Sequence, residues 1–254
     1  MERWQGRVAI VTGASAGIGA AIAKLLAESG MKVVGFARRK ERVEELADQL
    51  KTAGCKGELH AFAGDVRSEE DVKRAVQWTR ETLGGTDVLV SNAGVVAFGG
   101  LTEVSTEDLK KVLDTNLVGA CVFMREVVQD MKERGVNDGH IFFINSTAGQ
   151  AILNFPGTYV YAAGKHALRV VTEGLRRELR DMGTKIRVTS VSPGAVKTEI
   201  GLAAGVPKEM VELGYKLSVN LESVDVANAV LYALGTPPHV QVHEITMHPT
   251  GEKL

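Results

Sequence analysis

Hydrophobic positions along the chain follow two alternating patterns. Short runs rich in β-branched and aromatic residues recur along the chain, and most are followed by a segment with apolar residues at three- and four-residue spacing. The runs predict strands and the spaced segments predict helices, since side chains share a helix face every three to four residues. The predicted strands are 7–12, 31–37, 58–63, 87–91, 141–146, 186–192 and 241–247. The predicted helices are 18–28, 42–51, 68–83, 105–132, 159–180 and 223–234.

This alternation predicts an α/β fold in which a seven-stranded parallel sheet carries helices on both faces, a doubly wound Rossmann-type domain. We find no repeat or linker, so residues 1–254 are expected to form one domain. The stretch at about 194–220 is irregular and is expected to hold the substrate loop. Ser68 and Ser105 each precede an aspartate by three residues, which predicts two helix starts. Ligands of such sheets bind beyond the carboxyl ends of the strands.

Composition narrows the class of protein. Thirty basic and thirty-one acidic residues give a net charge of -1, which argues against a nucleic-acid partner. No run of eighteen apolar residues predicts a membrane span, and the first residues lack the apolar region of a signal peptide, so we expect a cytoplasmic protein. Cys55 and Cys121 are interpreted as packing residues. His239 and His243 lie outside a helical pattern, and no metal is expected.

A glycine-rich segment follows the first predicted strand and opens the first predicted helix. Backbone amides at a helix start can face a pyrophosphate, and glycine permits close approach. The spacing G-x-x-x-G-x-G lacks the Gly-Lys-Ser/Thr ending of ATP- and GTP-binding loops, so it favours a dinucleotide. A tight packing turn is the alternative interpretation. The residues expected to bind the cofactor here are Gly13, Ser15, Ala16, Gly17, Ile18 and Gly19.

Basic residues follow the second predicted strand, where an enzyme that uses NAD would carry a carboxylate. Arg38, Arg39 and Lys40 occupy this place. A planar guanidinium can bind a 2′-phosphate through two hydrogen bonds, so Arg38 and Arg39 predict NADP(H) as the cofactor. Three glutamates close by in the sequence leave a solvated basic helix start as the alternative.

Two further cofactor segments are expected after the third and fourth predicted strands. Asp65 and Val66 follow the third strand, where Asp65 would contact the adenine amino group or instead cap the next helix. The small residues after the fourth strand would let a cofactor lie against the backbone, although alone they indicate only a turn. These residues are Asn92, Ala93 and Gly94.

Tyr161 and Lys165 stand four residues apart in a predicted helix, which places both side chains on one face. A free phenol has a pKa of about 10, and a nearby cation lowers it. Tyr161 is therefore expected to exchange a proton with a carbonyl or an alcohol. Because pairs with this spacing also occur by chance, the alternative is that the two residues merely cover a helix surface.

Two polar residues are candidates to assist Tyr161. Ser146 ends the fifth predicted strand, where its hydroxyl would hold a substrate oxygen, although such a serine is often only a turn residue or a helix cap. Asn116 has a low helix propensity within the predicted helix 105–132. It indicates a local kink that holds a water beside Lys165, or else an exposed helix asparagine.

In their order along nearly the whole chain, these segments resemble the short-chain dehydrogenase/reductase family in its short, non-extended form. The resemblance rests on 12–19, 92–94, Asn116, Ser146, Tyr161 with Lys165, and Pro193-Gly194 followed by Thr198. It implies a catalytic tetrad of Asn116, Ser146, Tyr161 and Lys165, of which Tyr161 and Lys165 also contact the cofactor, Lys165 at the nicotinamide ribose. It further implies that Pro193 and Gly194 contact the cofactor, and that Val196 and Thr198 contact its carboxamide.

The chain departs from the family pattern in two places. Ser91 stands where the family often has asparagine, and the interval from Ser146 to Tyr161 is about two residues longer, which is expected to reshape the substrate pocket. The runs 1–4, 131–140, 172–176 and 245–250 resemble the branch that contains farnesol dehydrogenases and NADP-dependent 17-beta-hydroxysteroid and carbonyl reductases.

The loops expected to flank the nicotinamide are apolar, which predicts a lipophilic alcohol or carbonyl substrate, such as an isoprenoid alcohol or a steroid. Packing of these side chains on the scaffold or on another subunit is the alternative. They are Val95, Val96, Phe98, Ile152, Leu153, Phe155, Leu202, Val206 and Met210.

Two other functions remain open on the sequence. A nucleotide-sugar epimerase would share the Tyr161 and Lys165 chemistry but requires a larger region after Pro193. A non-catalytic NADP(H) sensor would be expected to have lost Tyr161, Lys165 or Ser146. Small residues on the long helices 105–132 and 159–180 permit close approach of a second copy, and the family resemblance favours a homodimer or homotetramer.

Overall fold

Seven parallel strands form one sheet in the computed structural model, which describes residues 1–152 and 157–252. The strand order is β3-β2-β1-β4-β5-β6-β7, and every neighbouring pair is parallel. The predicted fold class is therefore confirmed. The strands are β1 (Val8–Thr12), β2 (Lys32–Ala37), β3 (Glu58–Ala63), β4 (Val88–Ser91), β5 (His140–Ile144), β6 (Arg187–Pro193) and β7 (Glu244–Met247).

Helices connect the strands and cover both faces of the sheet, because each central strand is buried along its whole length and needs an apolar cover on either side. One core cluster joins the sheet to α1, α2 and α9, and a second joins it to α3, α5 and α6. The helices are α1 (Gly17–Glu28), α2 (Lys40–Thr52), α3 (Glu69–Leu83), α4 (Thr106–Leu113), α5 (Gly119–Glu133), α6 (Tyr159–Asp181), α7 (Ile200–Ala203), α8 (Lys208–Leu217) and α9 (Ser223–Gly235).

The two predicted serine caps are confirmed. The hydroxyl oxygen of Ser68 accepts a hydrogen bond from the amide of Asp71 at 3.2 Å, and that of Ser105 accepts one from the amide of Asp108 at 3.0 Å. Each bond satisfies an amide that the helix start would leave unpaired. Local sequence therefore sets the beginnings of α3 and α4.

The single helix predicted over 105–132 is confirmed in extent, since the chain is helical without a break from Thr106 to Glu133, but it is not α-helical throughout. Between α4 and α5 the chain forms a π-helical segment at Asp114–Val118, which widens the turn around Asn116. The apolar spacing runs on through this segment, so periodicity alone cannot reveal it. The stretch 194–220 is likewise less irregular than expected, since it contains α7 and α8.

The strands β2 and β3 lie on one side of β1, and the later strands β4 to β7 lie on its other side. β1 and β4 are therefore neighbours, although two strands separate them in sequence. This arrangement leaves a crevice beyond the carboxyl ends of the two strands. None of the helices in the described residues combines the length and hydropathy needed to cross a bilayer. In the same residues, no group of three or more metal-ligating side chains is arranged to hold a metal ion.

Candidate active site

A cleft of about 300 Å³ opens beyond the carboxyl ends of the central strands. It brings together all the residues that the sequence predicts for the site except Gly19 and Asn116, which lie beneath its surface. The predicted residues that line it are Gly13, Ser15, Ala16, Gly17, Ile18, Arg38, Arg39, Asp65, Val66, Asn92, Ala93, Gly94, Ser146, Tyr161, Lys165, Pro193, Gly194, Val196 and Thr198.

The glycine-rich loop owes its shape to backbone conformations and close approaches that require glycine. Gly13 has φ 69° and Gly17 has φ 54°, in the left-handed region that side chains disfavour. A Cβ on Gly19 would lie 2.3 Å from the carbonyl oxygen of Gly13. The loop is consequently a narrow turn whose backbone lines the cleft at the start of α1, as binding of a pyrophosphate requires.

Asn92 fixes the loop to the end of β4. Its side-chain nitrogen donates to the carbonyl oxygen of Thr12 at 2.8 Å, while the hydroxyl of Thr12 accepts from the amides of Asn92 and Ala93 at 2.9 and 3.0 Å. These bonds join the ends of two adjacent strands. Asn92 was predicted as a cofactor contact, and the structure also gives it this supporting role.

The residues after β2 and β3 form the other end of the cleft. Arg38 is exposed and makes no ion pair with any residue in the described ranges, whereas Arg39 is paired with Glu199. Asp65 does not cap α3, whose cap is Ser68. Asp65 pairs with Arg67 at 2.6 Å, and the hydrogen bonds from Arg67 lower the pKa of Asp65.

Ser146, Tyr161 and Lys165 meet where β5 and α6 approach each other. The side chains of Ser146 and Tyr161 are hydrogen-bonded. The ammonium of Lys165 lies 5.6 Å from the centre of the Tyr161 ring and donates to the carbonyl oxygen of Ile144 at 2.8 Å. Lys165 is only 5% exposed and has one hydrogen-bond acceptor among residues 1–152 and 157–252, which leaves donor capacity for a ligand.

Burial dominates the pKa values of this pair. It lowers the pKa of Lys165 to about 8 and raises the pKa of Tyr161, although the hydrogen bond with Ser146 opposes the second change. The sequence led us to expect a lowered pKa for Tyr161 from Lys165 together with a positively charged nicotinamide. The groups of the protein alone have the opposite effect, since desolvation disfavours the phenolate more than Ser146 favours it.

Asn116 occupies the π-helical segment and is 1% exposed, which rules out the exposed helix asparagine. Its side-chain oxygen accepts from the amide of Val95, and its side-chain nitrogen donates to the carbonyl of Val95, both at 2.8 Å. The amide thus binds the loop after β4 in the manner of a neighbouring strand. The local break expected from its low propensity is present, but the Asn116 side chain supports a wall of the cleft.

Replacement of Asn116 by leucine is expected to lower the free energy of unfolding by about 2 to 4 kcal/mol, because it leaves both polar groups of Val95 buried and unpaired. Thermal unfolding measures this change. Asn137→Ala is a matched control, since Asn137 makes an exposed bond to Lys185, and we expect a loss below about 1 kcal/mol. Equal losses in the two variants would show that Asn116 is not a structural link.

The nicotinamide end predicted by the resemblance is formed by the segment that follows β6. Gly17 and Thr198 approach each other across the cleft, since a Cβ on Gly17 would lie 3.2 Å from the methyl carbon of Thr198. Glu252 supports the segment from behind, because its carboxylate accepts from the amide of Ala195 at 3.3 Å. Glu252 lies near Pro193 and Gly194 because of the turn that follows β7. No local sequence pattern revealed this approach.

The apolar loop residues are only partly gathered at the cleft. Among the described members of the predicted set, Val95 lines the cleft. Phe98, Ile152, Leu202 and Met210 are exposed, at 41, 73, 39 and 64% respectively. Leu153 and Phe155 lie outside the described residues.

Several residues of the cleft were not predicted. They include Phe36, Lys111, Thr115, Asn145, Glu199, Ile200 and Ala203. Within 1–152 and 157–252, neither the side-chain oxygen nor the side-chain nitrogen of Asn145 has a hydrogen-bond partner, although Asn145 is only 3% exposed. Its position directly before Ser146, at a strand end, was the available signal. Lys111 and Thr115 reach the cleft from α4 and the π-helical segment, which periodicity had merged into one helix.

The fold and the cleft together define a Rossmann-type domain whose cleft is suited to a dinucleotide. Residues 7–205 match the family model described as short chain dehydrogenase. Farnesol dehydrogenase of Aedes aegypti is 49% identical over 254 residues, which are the whole of both chains. The chain belongs to the short-chain dehydrogenase family, as the resemblance predicted.

Solved structures agree with this assignment. Serine dehydrogenase in a closed form complexed with NADP+ is 33% identical, with a TM-score of 0.88 over 97% of this chain and 96% of that one. A short chain dehydrogenase/reductase from Burkholderia phymatum in complex with NAD is 28% identical, with a TM-score of 0.84 over 97% and 90% of the two chains. Relatives with this fold therefore bind either dinucleotide.

Proposed function

We propose that the protein is an NADP(H)-dependent oxidoreductase that interconverts a lipophilic alcohol and its aldehyde or ketone. The observation that carries the proposal is the cluster of Ser146, Tyr161 and Lys165 in a cleft whose opposite wall is a glycine loop suited to a pyrophosphate. When bound, NADP(H) supplies hydride to the substrate carbon or accepts it from that carbon.

The three side chains have distinct roles in the proposal. Tyr161 gives a proton to the carbonyl oxygen during reduction and takes it back during oxidation. The side chain of Ser146 is hydrogen-bonded to that of Tyr161, so the Ser146 hydroxyl can hold the substrate oxygen with which Tyr161 exchanges its proton. Lys165 places a cation beside the phenol and keeps further donors for the nicotinamide ribose. Asn116 acts indirectly, because its side chain holds Val95 at the wall of the cleft.

The cofactor contacts in the proposal follow the cleft from end to end. The glycine loop binds the pyrophosphate, Arg38 and Arg39 bind the 2′-phosphate, Asp65 and Val66 flank the adenine, and the residues after β4 and β6 hold the nicotinamide half. The described residues fit NADP(H). The glycine loop has no Cβ atoms at positions where one would be too close to the neighbouring backbone, and Arg38, which has no ion pair within the described ranges, stands where the 2′-phosphate is expected.

Arg38→Asp is expected to lower the ratio of kcat/KM for NADPH to that for NADH by about 10- to 100-fold, because a charge-assisted contact becomes a repulsion. Steady-state rates with both cofactors measure the ratio. Lys56→Asp makes the same change in net charge at the amino end of β3, away from the cleft, and should leave the ratio unchanged. A preference that survives in the Arg38 variant would contradict the assignment of NADP(H).

The rates should depend on pH in opposite ways for the two directions. Burial lowers the pKa of Lys165 to about 8 and raises the pKa of Tyr161, so Lys165 is the first of the two to lose its proton as the pH rises. Reduction requires both protons, so kcat/KM is expected to be level below about pH 8 and to fall above it. Oxidation requires the singly deprotonated pair, so kcat/KM should rise to a plateau above about pH 8. Profiles that run in the same direction would refute this pairing.

The substrate class is inferred from the loops beside Tyr161 and from one relative. Phe98, Leu202 and Met210 are exposed on segments that flank the nicotinamide end, where they can cover an apolar chain. The relative from Aedes aegypti is named for farnesol, an isoprenoid alcohol. Isoprenoid alcohols and steroids are therefore the first substrates to examine.

We further propose that the protein is a homodimer or homotetramer. Val170 is 73% exposed in the middle of α6, and Val118 is 50% exposed at the end of the π-helical segment. Exposed apolar residues on neighbouring long elements are typical of a symmetric interface.

A further inference from the structure

A carboxylate pairs with Arg39, one of the two arginines expected to bind the cofactor phosphate, and with the neighbouring Arg42. Glu199 is the residue directly before α7, and its oxygens accept hydrogen bonds from Arg39 at 3.1 Å and from Arg42 at 2.9 and 2.8 Å. Arg39 also reaches the hydroxyl of Ser15 in the glycine loop, at 3.4 Å. One acidic side chain thus engages both guanidiniums beside the phosphate end of the cleft.

The placement of these residues follows from local structure. Arg39 directly precedes α2 and Arg42 is three residues further on, so both side chains lie on one face of its first turn. Glu199 and Arg39 both line the cleft, and Thr198, next to Glu199, lines it as well. The ion pairs therefore tie the adenosine end of the cleft to the segment at its nicotinamide end.

A carboxylate and a phosphate monoester can bind the same guanidinium, because each offers two anionic oxygens that accept hydrogen bonds from its N–H groups. The phosphate carries a charge of about −1.5 to −2 at neutral pH, more than a carboxylate. All three side chains are near half exposed, at 45, 42 and 42% for Arg39, Arg42 and Glu199. An exposed pair of this kind contributes little free energy and can exchange partners.

We propose that Glu199 is a specificity-determining residue whose carboxylate competes with the cofactor 2′-phosphate for Arg39 and Arg42. The proposal rests on the assignment of NADP(H) and adds a residue that acts against that cofactor. A dinucleotide without the 2′-phosphate does not meet this competition. Glu199 therefore narrows the preference for NADP(H) over NAD(H), while Arg38, which has no ion pair within the described ranges, supplies the uncontested guanidinium.

The test compares two ligands that differ only in the contested group, 2′,5′-ADP and 5′-AMP. Isothermal titration calorimetry gives their Kd values for the whole chain and for Glu199→Gln. We expect Glu199→Gln to bind 2′,5′-ADP about three- to tenfold more tightly, and NADPH likewise, because two exposed ion pairs no longer have to be broken. The Kd values for 5′-AMP and NADH should stay within about twofold.

Two further variants make the result specific. Glu209→Gln removes the same charge from the exposed first turn of α8, so its Kd for 2′,5′-ADP should remain that of the original chain. In an Arg42→Gln background, Glu199→Gln should gain less, because one of the two contested guanidiniums is gone. Thermal unfolding checks that each variant is folded before binding is measured.

The possible outcomes separate this inference from the assignment of NADP(H). If the original chain prefers 2′,5′-ADP and Glu199→Gln does not change its Kd, the competition is refuted and the NADP(H) assignment stands. If the original chain shows no preference and Glu199→Gln creates one, the competition is supported and the NADP(H) assignment fails. Weaker binding of 2′,5′-ADP, or equal tightening of both ligands, would also overturn the role of Glu199.

Discussion

Tyr161→Phe is expected to lower kcat by about 10³-fold, within the range of 10² to 10⁴ that general acid-base catalysis contributes. The change removes one hydroxyl, which is the group that donates or accepts the proton in the proposed reaction. Steady-state rates with NADPH and a lipophilic aldehyde or ketone measure the loss. The Kd for NADPH should change little, because the phenol is proposed to act on the substrate oxygen.

Tyr159→Phe is the matched control for this substitution. Tyr159 is the first residue of α6, two positions before Tyr161 on the same helix, and is 38% exposed. Its loss of a hydroxyl is expected to leave kcat within about twofold, since it does not line the cleft. A Tyr161→Phe variant that folds and keeps near-full turnover would remove Tyr161 from the mechanism.

Gly19→Ala is expected to lower the free energy of unfolding by about 3 kcal/mol or more and to weaken NADPH binding at least about tenfold. The added Cβ would lie 2.3 Å from the carbonyl oxygen of Gly13 and 2.5 Å from the side-chain nitrogen of Asn92. One of these is backbone, so the glycine loop itself must shift. Thermal unfolding and calorimetric titration with NADPH measure the two effects.

Gly174→Ala tests the same substitution where space is available. Gly174 lies within α6, and a Cβ there would meet no heavy atom within 4 Å. We expect this variant to be more stable by about 0.5 to 1 kcal/mol, since alanine loses less conformational freedom in a helix. If the two alanine variants unfold alike, the close approach at Gly19 does not constrain the loop.

The sequence predicts the sheet and most of the cleft because their determinants are local or periodic. Strands buried on both faces are apolar runs, and a strand end can be located without knowing what lies opposite. The residues of the glycine loop and of the strand ends are therefore placed in one cleft, as predicted. Ser68 and Ser105 show the same principle for helix starts, where cap and partner stand three residues apart.

The features that were missed or misjudged depend on distant contacts. Asn116 binds Val95, and Glu199 binds Arg39 and Arg42 from about 160 positions away, which no spacing rule reveals. The raised pKa of Tyr161 results from burial, and the degree of burial at a helix position is a tertiary property. Local pattern thus identified the groups that we propose to react, whereas their electrostatics required the folded chain.

The central claim is that this cleft transfers hydride between NADP(H) and a lipophilic alcohol. It is tested most directly by following nicotinamide absorbance while the protein, with NADP+ or NADPH, is offered farnesol, a steroid alcohol, and the matching aldehyde and ketone. The account predicts turnover of at least one alcohol and its carbonyl partner, in both directions and faster with the phosphorylated cofactor. Tight binding of NADPH without oxidation or reduction across this panel would contradict it and favour a non-catalytic NADP(H) sensor.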